Sequence, residues 1–157
     1  MEALLRVSHL RKYFPISKGL FQQERLYVKA VEDVSFHIGK GETLGLVGES
    51  GCGKSTVGRL ALRLLEADAG EIHFDGRDVR ALDRRALREL RKDMQIIFQD
   101  PYGSINPRMT AGRIISEPAV EHGLITPRQV AGRVGELLDI VGLNRQDADK
   151  YPHEFSG

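Results

Sequence analysis

At 157 residues the chain has room for one domain with a sizeable core and hardly for two. Lys and Arg number 23 against 22 Asp and Glu, a net charge of +1, which argues against the broad basic face of a nucleic-acid binder. The single cysteine rules out an internal disulfide and suits a reducing cytosol, and no apolar run approaches the roughly 18–20 residues needed to span a bilayer. Met1 to Arg6 lacks the basic-then-apolar order of a signal peptide. The protein is therefore expected to be soluble, to stay in the cytosol and to reach any membrane through partners.

Leu4 to Leu10 is apolar enough for a strand, and Lys12 to Arg25 reads as a loop broken by Pro15 and Gly19. Val34, Phe36 and Ile38 alternate with Ser35 and His37, the period of a half-buried strand. Gly39 and Gly41 turn the chain into Thr43 to Val47, a short apolar run that reads as a buried strand. After a glycine-rich stretch, Val57, Leu60, Ala61, Leu64 and Leu65 recur at helical spacing. Gly70 to Phe74 is a further strand, closed by the turn pair Asp75-Gly76. Asp78 to Lys92 is expected to be helical on Leu82, Leu87 and Leu90. Its Arg84, Arg85, Arg88 and Lys92 lie near Asp83 and Glu89, the pattern of a solvated face. Met94 to Phe98 returns to strand, and strands on both sides of a helix argue for an α/β core. Pro101, Gly103, Pro107 and Gly112 then mark a long loop. Helices are expected from Ile114-Ile115 and from Pro127, the second carrying an apolar stripe of Val130, Val134, Leu137, Leu138 and Val141 that Gly142 ends. No internal repeat or low-complexity tract occurs.

The glycine-rich stretch is the chemically specific one. Gly48-Glu49-Ser50-Gly51-Cys52-Gly53-Lys54-Ser55-Thr56 fills every fixed position of the phosphate-binding pattern GxxxxGK[ST], and it joins an expected strand to an expected helix. Glycines let the backbone curl so that successive amides face an anion. The helix start adds free N–H donors and the positive end of its dipole. Lys54 is placed to reach the β/γ-phosphates of a nucleoside triphosphate, and the Ser55 hydroxyl to help hold Mg²⁺. Cys52 occupies a variable position of the loop; a thiol there is expected to be alkylated more slowly once nucleotide covers it. His9, His37, His73, His122 and His153 show no metal-ligand spacing, and with one cysteine they argue against a zinc site.

With Gly48 to Thr56 stand Ile96-Ile97-Phe98-Gln99-Asp100-Pro101 and Tyr151-Pro152-His153-Glu154-Phe155-Ser156-Gly157. In this order and spacing the chain resembles the ATP-binding subunits of ABC transporters, the second group being similar to the family's Q-loop and the third to the approach to its LSGGQ signature. The resemblance implies a P-loop NTPase core with an N-terminal antiparallel β subdomain and the start of a helical subdomain: core 1–98, Q-loop 99–107, helical subdomain 108–157. Pro101 to Thr110 is similar to the stretch after the Q-loop in bacterial oligopeptide and dipeptide importers, and the insert Pro15 to Tyr27 to the second of their two ATPase subunits. Nickel and other small-solute importers share this subfamily.

The same resemblance implies residue roles. Phe14 aligns with the aromatic that stacks on adenine, with Tyr13 as the alternative, and Gly48 to Thr56 would wrap the phosphates of ATP. Gln99 would approach Mg²⁺ and the attacking water and report nucleotide state to the membrane subunits. Ser156 and Gly157 would contact ATP bound to a partner ATPase in a head-to-tail dimer. Transmembrane permease subunits, and indirectly a solute-binding protein, are the further partners implied, at the cytoplasmic face of the bacterial membrane.

Hydrolysis needs an in-line water, a divalent metal and a group that positions the water. In this family that group is the glutamate of Walker B, downstream of the signature, and it is absent from residues 1–157. Asp100 does not substitute for it, since Gln99 precedes it and Pro101 follows. In the family the Walker B strand shares the sheet of the P-loop strand, so its absence is expected to leave apolar surface and backbone groups exposed. Two classes of function follow: the N-terminal part of a peptide-import ATPase with its sequence cut short, which is favoured, or a 157-residue nucleotide-binding module without hydrolysis. An ABC ATPase of DNA repair or translation is disfavoured by the near-neutral charge and by Pro101 to Thr110.

Overall fold

In a computed structural model of the protein, residues 3–16 and 26–155 are described. They divide into two compact units, Met1–Met94 and Gln95–Gly157.

The first unit is built on a four-stranded antiparallel sheet in the order β2-β1-β3-β4, with β1 at Ala3–Ile16, β2 at Leu26–Gly39, β3 at Ala69–Phe74 and β4 at Arg77–Asp78. The segment expected to become loop after Leu10 instead continues as strand, because Tyr13, Phe14, Pro15 and Ile16 pair with Lys29, Val28, Tyr27 and Leu26. Pro15 is tolerated there near the end of the ladder. Residues 17–25 of the insert lie outside the described residues. The register slips between Ala3 and Leu5, between Val7 and Leu10, between Leu10 and Lys12, and between Lys12 and Tyr13. His9 and Asp33 sit at these irregularities with φ of 49° and 55°, and His9 Nδ1 meets Asp33 Oδ1 at 2.8 Å. Asp75-Gly76 turns β3 into β4 with φ of 47° and 75°, the left-handed pair that a two-residue hairpin requires.

Helix α1, Lys54–Ala61, and helix α2, Arg84–Leu90, supply the other side of the core. Val57 and Leu60 of α1 and Leu90 of α2 join Val7, Leu10, Val31, Ile72, Phe74 and Val79 in one buried cluster. Both helices are shorter than their apolar spacing suggests. Leu62 caps α1, and Arg63 takes φ 48°, which leaves Leu64 half in solvent. Helix α2 waits for Asp83, whose side chain accepts the Ala86 N–H at 2.7 Å as an N-cap. Residues 77–78 before it are β4 rather than helix.

Two expected strands do not form. Thr43 to Val47 and Met94 to Phe98 have no ladder partner among the described residues, and Val47 and Ile97 are 95% and 91% exposed. An apolar run becomes strand only where a neighbouring backbone takes its N–H and C=O groups.

The second unit is helical: α3 at Pro101–Ser104, α4 at Ala111–Glu121 and α5 at Val130–Ile140, with 3₁₀ turns at Pro127–Gln129, Arg145–Asp149 and Pro152–Glu154. The expected long loop is thus shorter, with Gly112 inside α4. Thr126 and Gln129 form a capping box before α5, whose Val134 and Leu138 are buried. Gly142, φ 75°, ends that stripe as expected, with the Leu143 N–H returning to the Leu138 carbonyl.

Just ahead of β3, Asp68 extends the β1–β3 ladder with its side chain. Its N–H donates to the Arg11 carbonyl at 3.0 Å, while Oδ2 accepts the Tyr13 N–H at 2.6 Å and Oδ1 accepts Lys12 Nζ at 3.1 Å. The Tyr13 N–H above all, then the Lys12 ammonium, hold the Asp68 carboxyl below the usual aspartate range.

Two predictions follow from this packing. Leu60→Ala is expected to cost about 2–5 kcal/mol in urea unfolding and Leu64→Ala about 0.5 kcal/mol or less, since only the first is fully buried; equal costs would contradict the helix boundary. Because its folded-state pKa is depressed, Asp68 contributes stability that is present above the ordinary aspartate value near ~3.9 and is lost as pH falls through the lower folded value. Unfolding midpoints measured from pH 5 down to about 2 are expected to fall less steeply in Asp68→Asn than in the parent.

Candidate phosphate-binding site

The loop 48–53 leads directly into α1, and Gly53 is the residue on which this junction turns. It is the N-cap of α1 with φ 99°, a left-handed conformation, and a Cβ built there would stand 2.2 Å from the Ala30 carbonyl oxygen of β2. Only glycine lets the loop seat against the strand at this distance. The first backbone bond of α1 runs from the Val57 N–H to the Gly53 carbonyl at 2.9 Å, so the amides before it have no acceptor within the helix. They stand at the positive end of the helix dipole.

Lys54 is the first residue of α1 and is half-buried. Its ammonium folds back over the loop, donating to the Gly48 carbonyl at 2.7 Å and to the Glu49 carbonyl at 2.6 Å, with Cys52 Sγ at 3.5 Å. A cation thus sits inside a curl of backbone at a helix start, with the exposed Ser55 next to it in the chain and Thr56 following. Residues 48–52, including Ser50 and Gly51, are exposed, and so is the Cys52 thiol. This donor set suits an anion of the size and charge of a polyphosphate. The sequence alone did not reveal the ammonium's contacts with the loop carbonyls or the Ala30 carbonyl behind Gly53.

Of the other residues singled out by the sequence, Phe14 and Tyr13 lie side by side near the end of β1. Phe14 is 37% exposed and carries the Lys12 ammonium 5.5 Å from its ring centroid. Tyr13 is half-buried; its hydroxyl donates to Glu32 at 2.8 Å and the Lys29 ammonium lies 5.8 Å from its ring. Glu32 raises the Tyr13 pKa by accepting that bond, and Lys29, followed by Tyr13, lowers that of Glu32. Lys12 and Asp68 were missed because residues 12–25 read as loop. Had β1 been carried through Ile16, the two-residue period would have put Lys12 on the face of Phe14.

In the second unit, Gln99 is exposed in the bend before α3, and Asp100 caps that helix by accepting the Gly103 N–H at 2.9 Å. An apolar hollow of about 410 Å³ is lined by Ile105, Ile114, Ile115, Leu138, Leu143 and Phe155 among others. Ser156 and Gly157 lie outside the described residues, but the turn leading to them is tied: the Tyr151 N–H donates to Glu154 at 2.7 Å, and the Lys150 ammonium lies 5.9 Å from the Phe155 ring. Among the described residues no cluster of His, Cys, Asp and Glu could hold a metal ion by itself, and no helix is long and apolar enough to cross a membrane.

The chain is 51% identical over 157 residues to the oligopeptide transport ATP-binding protein AppF of Bacillus subtilis (strain 168), covering 99% of this chain and 48% of AppF. It is 52% identical to OppF of the same organism, covering 50% of it, and 51% identical to the glutathione import ATP-binding protein GsiA of Escherichia coli (strain K12), covering 25%. The chain therefore spans about half the length of the first two relatives and a quarter of the third. Among solved structures, the dimeric bacterial ABC transporter cassette MJ0796 matches with a TM-score of 0.77 at 25% identity, over 98% of this chain and 63% of that one. The same cassette in a post-hydrolysis state bound to ADP and Pi matches at 0.75 with 24% identity, over 97% and 63%. The fold is the α/β P-loop NTPase fold of these cassettes, with its antiparallel β subdomain and the beginning of the helical one. The family pattern "ABC transporter" matches residues 31–157, and the chain belongs to the ABC transporter family.

Proposed function

We propose that the protein is the ATP-binding subunit of a bacterial importer of peptides, coupling ATP binding and hydrolysis to solute entry. The observation that carries this reading is the 51% identity to AppF over 99% of the chain. The phosphate cradle at 48–56 supplies the chemistry: amides of the loop and of the first turn of α1, with Lys54, would hold the β/γ-phosphates of ATP. On displacement from the Gly48 and Glu49 carbonyls the ammonium exchanges neutral acceptors for charged ones, a stronger hydrogen bond.

Ser55 would hold Mg²⁺, with Gln99, in the Q-loop segment 99–107, approaching the metal and the attacking water. The metal would neutralise charge on the phosphates. Phe14 would carry the adenine. Its exposure supports it over Tyr13, whose hydroxyl is committed to Glu32. Ser156 and Gly157 would contact ATP held by a second ABC ATPase, the head-to-tail partner, and the glutamate that positions water would come from the part of the whole protein beyond these residues. Permease subunits would engage the Q-loop and the helical subdomain, which supports a peripheral seat on the cytoplasmic face of the membrane. The apolar hollow beside α4 and α5 is consistent with such a contact. Relatives named for glutathione import keep the solute class peptidic, since glutathione is itself a tripeptide.

The test is hydrolysis of MgATP by the full-length protein paired with its partner ATPase. Lys54→Ala is expected to lower turnover by at least about a hundredfold, because the developing phosphate charge loses its principal cation. Parental turnover in that variant would overturn the assignment.

A further inference from the structure

Phe14 is a base platform only if its ring is held still, and the end of a long hairpin is a poor place for that. Three contacts from one residue address the problem. Asp68 binds the Arg11 carbonyl through its N–H, the Tyr13 N–H through Oδ2 and Lys12 Nζ through Oδ1. The Lys12 side chain, only 16% exposed, is drawn along the sheet by this pair until its ammonium lies 5.5 Å from the Phe14 centroid. Lys12 and Phe14 stand two residues apart on β1 with the ammonium over the ring, whereas Tyr13 is engaged by Glu32 and Lys29. An ion pair with the half-exposed Asp68 does not by itself require the ammonium to cover an aromatic ring. The second contact confines both side chains.

We propose that Lys12 and Asp68 form a clamp that fixes Phe14 as a one-sided platform for the nucleobase, which makes Lys12 a positioning residue for base recognition. The proposal rests on the reading of Phe14 given above and deepens it. With the ammonium on one face of the ring, a base stacks on the opposite face, and the cation's attraction for the ring's π-density keeps that face presented. The Asp68 carboxylate, held ionised by the Tyr13 N–H, keeps the cation in place at neutral pH. Lys12 differs in kind from Lys54: it acts on the base end of the nucleotide and not on the phosphates.

The experiment is calorimetric titration of the full-length protein with MgATP and, separately, with inorganic tripolyphosphate, which has no base to stack. Lys12→Met is expected to weaken MgATP by about three- to fivefold and to leave tripolyphosphate within about twofold. Lys12→Arg, which keeps a cation able to pair with Asp68, restores MgATP affinity. In a Phe14→Ala background Lys12→Met adds less than about twofold, because there is no ring left to position. Unchanged MgATP affinity in Lys12→Met, equal weakening of both ligands, an additive double variant or no restoration by Lys12→Arg each overturns the clamp. If Phe14→Ala itself leaves MgATP affinity unchanged, the platform reading falls and the clamp with it. If Phe14→Ala weakens MgATP while Lys12→Met does not, the clamp alone is lost.

Discussion

The site depends on one backbone contact, the seat of Gly53 against the Ala30 carbonyl of β2. The loop reaches this position only because residue 53 has no side chain and takes φ 99°. From there α1 starts with Lys54, and its buried Val57 and Leu60 enter the same core as Val31, the neighbour of Ala30. A phosphate-binding loop is a set of backbone dipoles, and dipoles bind only if something rigid holds their direction. Here the rigid element is the long β1–β2 hairpin behind the loop and the hydrophobic cluster beneath the helix.

The same hairpin carries the aromatic pair Tyr13 and Phe14, so one element joins both ends of the expected nucleotide. The register slips around His9 and Asp33 do not break it, because His9 bonds to Asp33 through its ring and to Ser35 Oγ through its N–H. After a further slip between Lys12 and Tyr13 the ladder resumes, and Pro15 and Ile16 still pair. A hairpin alone is marginal in water. This one is made firm by β3 on its other side and by the Asp68 side chain where β3 begins.

How much of this could be read from the residues depended on whether a feature was written in local chemistry or in pairing. The loop at 48–56 is local: glycine, lysine and hydroxyl stand at fixed spacing, and the fold curls this stretch at the start of α1. The Asp75-Gly76 turn and the Gly142 stop are local as well and form where expected, and of the α5 stripe Val134 and Leu138 are buried while Val141, at its end, is 66% exposed. Strand identity is not local. Thr43 to Val47 and Met94 to Phe98 have strand composition but find no ladder among the described residues, while Lys12 to Ile16, with its proline and charges, becomes strand because β2 lies alongside. The end of α1 is not local either: Leu64 and Leu65 keep the helical period, but the chain has already turned at Arg63.

The lysines show why side-chain purpose is harder to read than backbone shape. Lys54 was legible because its motif fixes its neighbours in sequence. Lys12 was not, since the partner that gives it meaning is 56 residues away and its ammonium lies over the aromatic ring only in the folded strand. The two ammonium groups nonetheless obey the same rule. Each is drawn from water by acceptors fixed to the backbone framework, the Gly48 and Glu49 carbonyls for one and the doubly anchored Asp68 for the other. A flexible cation loses several rotatable bonds' worth of freedom on being held, and a preformed acceptor set is what offsets that loss. Where a lysine is so held against backbone carbonyls or beside an aromatic face, its position follows from the fold and not from its own sequence neighbours.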